Sequence, residues 1–345
     1  MRLSIIMPFY NKEEKVVRPA IESVLAQTER DLELICVNDA SPDGSGDFLY
    51  EMAQKDKRLK VLTHEVNQGV SVARNTALAA AAGDYIGFVD SDDMVVPNYY
   101  EVMLKAAEIT QADIISSSFR RIEYDETVIP EIDFNEEPLK NYRPCKKYYS
   151  FKARSIWNRI YKREILQGLR FVPELKVYED LVFLNEAISR AESLCDIDFD
   201  GYLYRQFNPE LLKPKENVQE QPPVEIKAEL PWHLVQHNTA LRKIAEIVVN
   251  GCDYRTANAM SYLVLRRFFR IALQIRKFDP AMQNLCYHAF SEFFESAMRN
   301  TCSGRFPVIS FCTHRIFSRK KFSRIFIFNL QILRLLTEIS FYCLH

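Results

Sequence analysis

Apolar segments alternate with helical segments over the first ninety or so residues, and this alternation constrains the fold most. The apolar segments read as strands: "LSIIMPF", "LELICVNDAS", "RLKVLTHE" and "DYIGFVD". Between them lie three helical patterns: roughly Lys12 to Gln27, "GDFLYEMAQKD", and "GVSVARNTALAAAAG", which we expect to end at Gly83. Near-continuous apolar strands separated by helices predict an α/β fold with a mostly parallel sheet covered on both faces.

Three of these strands end in polar clusters. The clusters are Tyr10-Asn11, Asn38 to Ser41, and the "DSDD" that holds Asp90, Asp92 and Asp93. Ligands of such sheets bind outside the carboxyl ends of the strands. Three close carboxylates repel one another, and a divalent cation with oxygen ligands would relieve that repulsion. A solvated turn that caps the next helix is the alternative for this stretch.

The chain beyond residue 110 is less regular. "ADIISSSFRRIEYDETVI" predicts one or two strands, "SIWNRIYKREILQGL" a helix, "YEDLVFLNEAISRAE" a second helix, and "LCDIDFDGYLYRQ" a strand. A charged, proline-rich stretch over 208–229 predicts a linker. We therefore expect one domain over 1–207 and an all-helical region over 230–345.

The segment from Arg315 to Phe341 carries five basic residues before a mostly apolar stretch, Ile325 to Leu336. A basic amphipathic segment of this kind can lie on an anionic membrane surface. A terminal core helix with a solvated basic face is the alternative.

Composition limits the partners and the cellular compartment that can be expected for this protein. A net charge of −1 gives no reason to expect a nucleic-acid partner. The eight cysteines are scattered without a CxxC pair, which is typical of free core cysteines in a reducing compartment. The first apolar run is too short for a signal peptide, and no apolar stretch is long enough to span a bilayer. We expect a cytoplasmic protein, with peripheral contact to the inner face of the cell membrane through the basic tail as an option.

Five motifs together resemble one family. "SIIMPFYNKEE", "VNDASPDGS", "NQGVSVARNTAL", "GDYIGFVDSDD" and "YEDLVF" occur in the order and spacing of the family 2 glycosyltransferases, which have the GT-A fold. The resemblance covers roughly Leu3 to Gln206. It includes "WNRIYKRE", which is similar to a segment common in members that build capsules, lipopolysaccharide and cell walls.

The resemblance implies donor-binding roles for residues at the strand ends. Pro8 and Tyr10 would border the nucleotide base, and Asp39 would accept a hydrogen bond from it, as the matching residue does with uridine donors. Arg74 would lie near the base or the phosphates. Asp90 would contact the ribose.

The resemblance also implies the reactive groups. Asp92 would ligate a Mn²⁺ or Mg²⁺ ion that bridges the donor diphosphate, and Asp93 would either ligate it too or orient the loop. Asp180 matches the catalytic base, with Glu179 beside it. Asp180 opens a helical pattern, where backbone N–H groups favour its ionised form.

These roles imply an inverting, metal-dependent transfer of a sugar from a nucleotide sugar, with a UDP-sugar favoured. The acceptor would be a glycan or a lipid-linked molecule in the synthesis of cell-surface polysaccharide. A non-catalytic nucleotide- or glycan-binding member of the same fold is one alternative. A sugar-phosphate nucleotidylyltransferase is another, although "PFYNKEE" lacks the glycine-rich loop that such an enzyme needs after its first strand.

Overall fold

The structure is a computed structural model, and it describes residues 1–42, 44, 46–123, 143–145 and 155–206, together with helical positions 236, 239–240, 243–244 and 247. The chain divides into two compact units, Met1–Pro222 and Pro223–His345. The division falls within the predicted linker, although 208–229 itself lies outside the described residues. The rest of the predicted helical region over 230–345, including the basic tail, also lies outside them. The domain boundaries therefore stay a prediction.

The first half of the sheet is parallel, as the alternation predicted. Its strands and helices are β1 (Leu3–Phe9), α1 (Glu14–Leu25), β2 (Leu32–Asn38), α2 (Asp47–Lys55), β3 (Leu59–Thr63), α3 (Val70–Ala80) and β4 (Tyr85–Phe88). Strand β1 lies between β2 and β4, and Ile6 pairs with Ile35 on one side and Phe88 on the other. Strand β3 extends the sheet beyond β2, also in parallel.

The second half makes the sheet mixed. Its elements are β5 (Met94–Val95), α4 (Tyr99–Thr110), β6 (Ile114–Glu123), β7 (Arg143–Cys145), β8 (Arg159–Lys162), the 3₁₀ helix Arg163–Leu166, α5 (Glu179–Arg190) and β9 (Leu194–Gln206). The strand order among the described residues is β3-β2-β1-β4-β8-β6-β9-β5, with β7 paired to β9. Strand β8 is antiparallel to both β4 and β6, whereas β6 and β9 are parallel. The predicted α/β class is confirmed, with a mixed sheet rather than a mostly parallel one.

Two local predictions are wrong. The predicted helix over "SIWNRIYKREILQGL" is instead strand β8 followed by the 3₁₀ helix, because Ile160 and Tyr161 are buried between β4 and β6 and pair with both. Helix α3 ends at Ala80, not at Gly83. Gly83 instead packs against β1, where a side-chain Cβ would lie 2.5 Å from the backbone nitrogen of Ser4.

The core lies between the sheet and its helices. All of β1 except Pro8 and all of β2 are buried, and α1 covers them with a stripe that includes Val17, Ile21 and Val24. Such burial of β-branched and aliphatic side chains is the main favourable term in folding. Cys36 and Cys195 are buried free thiols. Within the described ranges, no helix has the length and apolar character needed to cross a bilayer.

Candidate active site

The carboxyl ends of β1, β2 and β4 meet at one edge of the sheet, as the polar clusters predicted. The loops after β1 and β2 are joined by a hydrogen bond of 3.0 Å from the backbone N–H of Asn11 to Ser41 Oγ. Three non-glycine residues around the site, Asn11, Ala40 and Tyr178, have positive φ angles of 45°, 57° and 67°. Backbone in this left-handed region costs free energy, and such residues concentrate at functional sites.

Asp39 is buried, and its carboxylate organises the loop before α3. Oδ1 accepts a hydrogen bond from the backbone N–H of Gln68 at 2.9 Å and lies 2.6 Å from His64 Nδ1. Oδ2 accepts from the N–H of Gly69 at 2.7 Å. Gly69 has a φ of 89°, which a residue with a side chain would adopt only under strain. Each carboxylate oxygen can accept two bonds, so Oδ2 keeps acceptor capacity for a further donor.

Arg74 joins two parts of the site that are far apart in sequence. Its guanidinium is buried, with Nη2 3.0 Å from Asp90 Oδ1 and Nη1 2.8 Å from Glu179 Oε1. The same group lies 5.3 Å from the centre of the Phe171 ring. A buried guanidinium that bonds two carboxylates holds their relative position. Arg74 therefore ties the loop after β4 to the start of α5.

Asp93 anchors the loop after β4 to strand β9. Its Oδ2 accepts a 2.7 Å bond from the Tyr202 hydroxyl, and its Oδ1 accepts a 2.8 Å bond from the backbone N–H of Arg205. The pKa of Asp93 is raised to about 8, chiefly by burial and next by the nearby Asp90 carboxylate, with a smaller contribution from Asp92. Asp93 is 1% exposed. These contacts favour loop orientation among its two predicted roles, and its role as a metal ligand stays a prediction.

Asp92 lies nearer the surface and already faces a cation. Its Oδ2 is 2.9 Å from Lys12 Nζ, and the two side chains are 17% and 32% exposed. A carboxylate oxygen is a suitable ligand for Mn²⁺ or Mg²⁺. Among the described residues no group of three His, Cys, Asp or Glu side chains could hold an ion. An ion at Asp92 therefore fits the site only if the donor supplies further oxygen ligands.

Asp180 is a partly buried carboxyl at the start of α5, where its Oδ1 accepts a 2.7 Å bond from the N–H of Leu181. Its pKa is raised to about 6, chiefly by desolvation and next by the Glu179 carboxylate, whereas Arg74 and the Leu181 N–H act in the opposite direction. The expectation that the helix terminus would favour ionisation is therefore outweighed by desolvation. A carboxylate with this pKa is ionised at neutral pH and is a stronger base than an exposed aspartate.

This raised pKa predicts a pH dependence. A general base acts only when it is deprotonated, so the predicted base role of Asp180 implies a reaction rate that falls about tenfold for each pH unit well below its pKa. With a pKa of about 6, the rate should be near its plateau at pH 7.5 and reduced severalfold at pH 5.5. Steady-state rates at saturating donor between pH 5 and 8 test this. A profile that stays flat down to pH 5 would contradict it.

The structure brings most of the predicted residues to one edge of the sheet. Pro8 and Tyr10 lie at the end of β1, and Tyr10 is 46% exposed, which leaves its ring available to a ligand. Arg74 contacts carboxylates, a partnership that the sequence prediction did not include. The roles of all these residues stay predictions.

Sequence reasoning missed Lys12 and Tyr202. Lys12 had a detectable signal, because it follows Tyr10 and Asn11 in the loop at the ligand edge. Tyr202 had none, since it comes from β9, more than a hundred residues after the aspartate whose carboxylate it bonds.

Clustered carboxylates at the carboxyl edge of a mixed sheet are what the predicted GT-A type of domain requires. The family model for "Glycosyl transferase family 2" matches residues 4–170. Residues 4–170 thus match glycosyltransferase family 2. The predicted family is thereby confirmed.

Relatives and a solved structure agree with this family. The uncharacterized glycosyltransferase EpsJ of Bacillus subtilis is 36% identical over 217 residues, which cover 61% of this chain and 62% of EpsJ. The succinoglycan biosynthesis protein ExoW of Rhizobium meliloti is 31% identical over 217 residues, 56% of this chain and 66% of ExoW. The chain thus matches about three fifths of the length of EpsJ and somewhat more of ExoW.

The crystal structure of S. aureus TarS 1-349 in complex with UDP superposes with a TM-score of 0.69 at 21% identity, covering 100% of this chain and 92% of that one. The structure of the same protein with UDP-GlcNAc gives a TM-score of 0.68 at 21% identity, covering 87% and 83% of the two chains. At this identity the likeness shows the fold alone, and it confirms the predicted GT-A architecture.

Proposed function

We propose that this protein transfers a sugar from a UDP-sugar donor to a glycan or lipid-linked acceptor in cell-surface polysaccharide synthesis. The observation that carries the proposal is the arrangement around Arg74, which holds Asp90 at the donor edge and Glu179 next to the candidate base. The match to family 2 and the succinoglycan function of ExoW support the reaction and the pathway class.

The uracil base and the ribose of the donor occupy one side of the proposed site. Tyr10 stacks on the uracil, Asp39 Oδ2 accepts the N3–H of the base, and Asp90 contacts the ribose. Gln68, Gly69 and His64 keep the Asp39 carboxylate in one orientation, so little entropy is lost when the base binds. TarS, which shares the fold, has been solved with UDP and with UDP-GlcNAc, and this supports the choice of a uridine donor.

Asp180 is the proposed general base. Its carboxylate would take the proton of the acceptor hydroxyl as that oxygen bonds to the anomeric carbon and the bond to the diphosphate breaks. Attack opposite the leaving group inverts the anomeric configuration. Arg74 fixes the distance between the donor loop and α5, which carries this base, and such positioning accounts for a large share of enzymatic rate enhancement.

Asp92 is the proposed ligand of a Mn²⁺ or Mg²⁺ ion. When bound, the ion would neutralise charge on the diphosphate leaving group. Asp93 supports the loop through Tyr202 and β9, so that Asp92 faces the donor.

A nucleotide titration tests the donor class. UDP should bind more tightly than GDP at equal Mn²⁺ because Asp39 accepts one N–H from uracil at a fixed position. Loss of a matched hydrogen bond to a charged group costs about 1.5–3 kcal/mol, or roughly a ten- to hundredfold weaker binding. Isothermal titration calorimetry of both nucleotides measures this difference directly. Tighter binding of GDP would contradict the uridine assignment.

A further inference from the structure

The ion pair between Lys12 and Asp92 connects two loops of the candidate donor site. Lys12 lies in the loop after β1, directly after Asn11 and its positive φ angle, and it reaches the loop after β4 with 2.9 Å between Nζ and Asp92 Oδ2. Both side chains keep some exposure, at 32% and 17%, so the pair lies at the mouth of the site and not in the core.

A divalent cation and an ammonium group compete for the same carboxylate oxygen. Asp92 is the proposed ligand of the ion, and its Oδ2 already carries the charge of Lys12. Because like charges a few ångströms apart repel where water is partly excluded, an ion on this oxygen would weaken its pairing with the ammonium. An ion at Asp92 would therefore favour movement of the lysine ammonium to another partner.

The donor diphosphate would offer the displaced ammonium another partner. If Asp92 and phosphate oxygens held the same ion, those oxygens would also lie close to Lys12. The lysine stem is flexible, and its ammonium can donate three hydrogen bonds to phosphate oxygens. Rotation about the side-chain bonds of Lys12 would then move its ammonium from the Asp92 carboxylate to the diphosphate.

We propose that Lys12 is a donor-binding residue that neutralises Asp92 in the empty site and contacts the donor diphosphate once the divalent ion takes its place. This inference rests on the proposed function and adds a residue to it. Lys12 would then contribute positive charge beside the leaving group without taking part in any proton transfer.

The exchange predicts opposite effects of Lys12→Met on two ligands. Mn²⁺ alone should bind severalfold more tightly to the variant, since no ammonium has to be displaced from Asp92. UDP in the presence of Mn²⁺ should bind about tenfold more weakly, because one charge-assisted contact is lost. Uridine, which lacks phosphates, should bind both proteins equally. Electron paramagnetic resonance of free Mn²⁺ measures the first constant, and calorimetry measures the other two.

Two further variants make the test specific. Lys12→Arg keeps the charge and should restore most of the UDP affinity. Lys105→Met removes a lysine from the ion pair with Glu101 on α4 and should change none of the three constants. Equal UDP affinity in Lys12→Met and wild type would overturn the role of Lys12 and leave the proposed function standing. Equal losses for uridine and UDP would show a structural effect and also overturn it. Failure of wild-type protein to bind UDP with Mn²⁺ would overturn both proposals.

Discussion

Asp180→Asn is expected to bind the donor as wild type does and to lose sugar transfer by about 10²–10⁴-fold, the usual contribution of a general base. The change is nearly isosteric, and the remaining amide oxygen can still accept the hydrogen bond from the Leu181 N–H. The loss should therefore appear in kcat and not in the affinity for UDP. Single-turnover rates and a UDP titration on the same preparation separate the two quantities.

The stability of this variant gives an independent readout. The folded-state pKa of Asp180 is raised, so ionisation of this group destabilises the fold. The stability that its protonated form contributes is fully present below the unfolded-state pKa and is lost as the pH rises through about 6. Asp180→Asn should consequently melt at the same or a higher temperature than wild type at pH 7.5. A folded variant without activity excludes misfolding as the cause of the loss.

Glu186→Gln is the matched control for this experiment. Glu186 lies on the same helix α5 but pairs with Arg190 and contacts none of the candidate site residues in the described part of the chain. It should keep the wild-type rate. Transfer at the wild-type rate in Asp180→Asn would place the base elsewhere, and Glu179 would be the first residue to test.

Asp92→Ala is expected to remove the metal-dependent part of donor binding. Loss of a direct ligand should weaken binding of the ion by about 100-fold or more. Even replacing a residue that only hydrogen-bonds a ligand typically lowers metal affinity 10–100-fold. UDP should then bind the variant equally in Mn²⁺ and in EDTA, whereas wild type should bind it more tightly in Mn²⁺. The fold should persist because the Asp92 carboxylate is only partly buried and its ion-pair partner, Lys12, can turn to solvent.

Asp31→Ala controls for the loss of one acidic group. Asp31 is a half-exposed aspartate directly before β2, at the opposite end of the strand from Asp39. Its replacement should leave the difference between Mn²⁺ and EDTA unchanged. If Asp92→Ala retains that difference, the assignment of Asp92 as metal ligand is wrong.

The parallel half of the fold was predictable because its signals are local. Strands β1, β2 and β4 are nearly continuous apolar runs, and turn residues follow each of them. Strand β8 was not predictable in this way. Ile160 and Tyr161 are held in a strand by their neighbours β4 and β6, and the short apolar spacing around them fits a helix equally well.

The residues of the candidate site were likewise predictable only where the sequence signal was local. Asp39, Asp90 and Asp92 follow strands directly, so their position at the ligand edge could be inferred. The bonds from Arg74 to Glu179 and from Tyr202 to Asp93 could not, because these partners come from α5 and β9, about a hundred residues away. The pKa of Asp180 was misjudged for a related reason, since desolvation depends on the packed tertiary structure and not on the helix terminus alone.

The most direct test of the account is the release of UDP from a panel of UDP-sugars, measured with acceptor-containing membrane extract in Mn²⁺ and in EDTA. The account predicts that wild-type protein releases UDP from at least one of these donors in Mn²⁺. Release should fall to background in EDTA and in the Asp180→Asn variant. Undiminished release in EDTA, or the absence of release from every UDP-sugar by a folded protein, would contradict it.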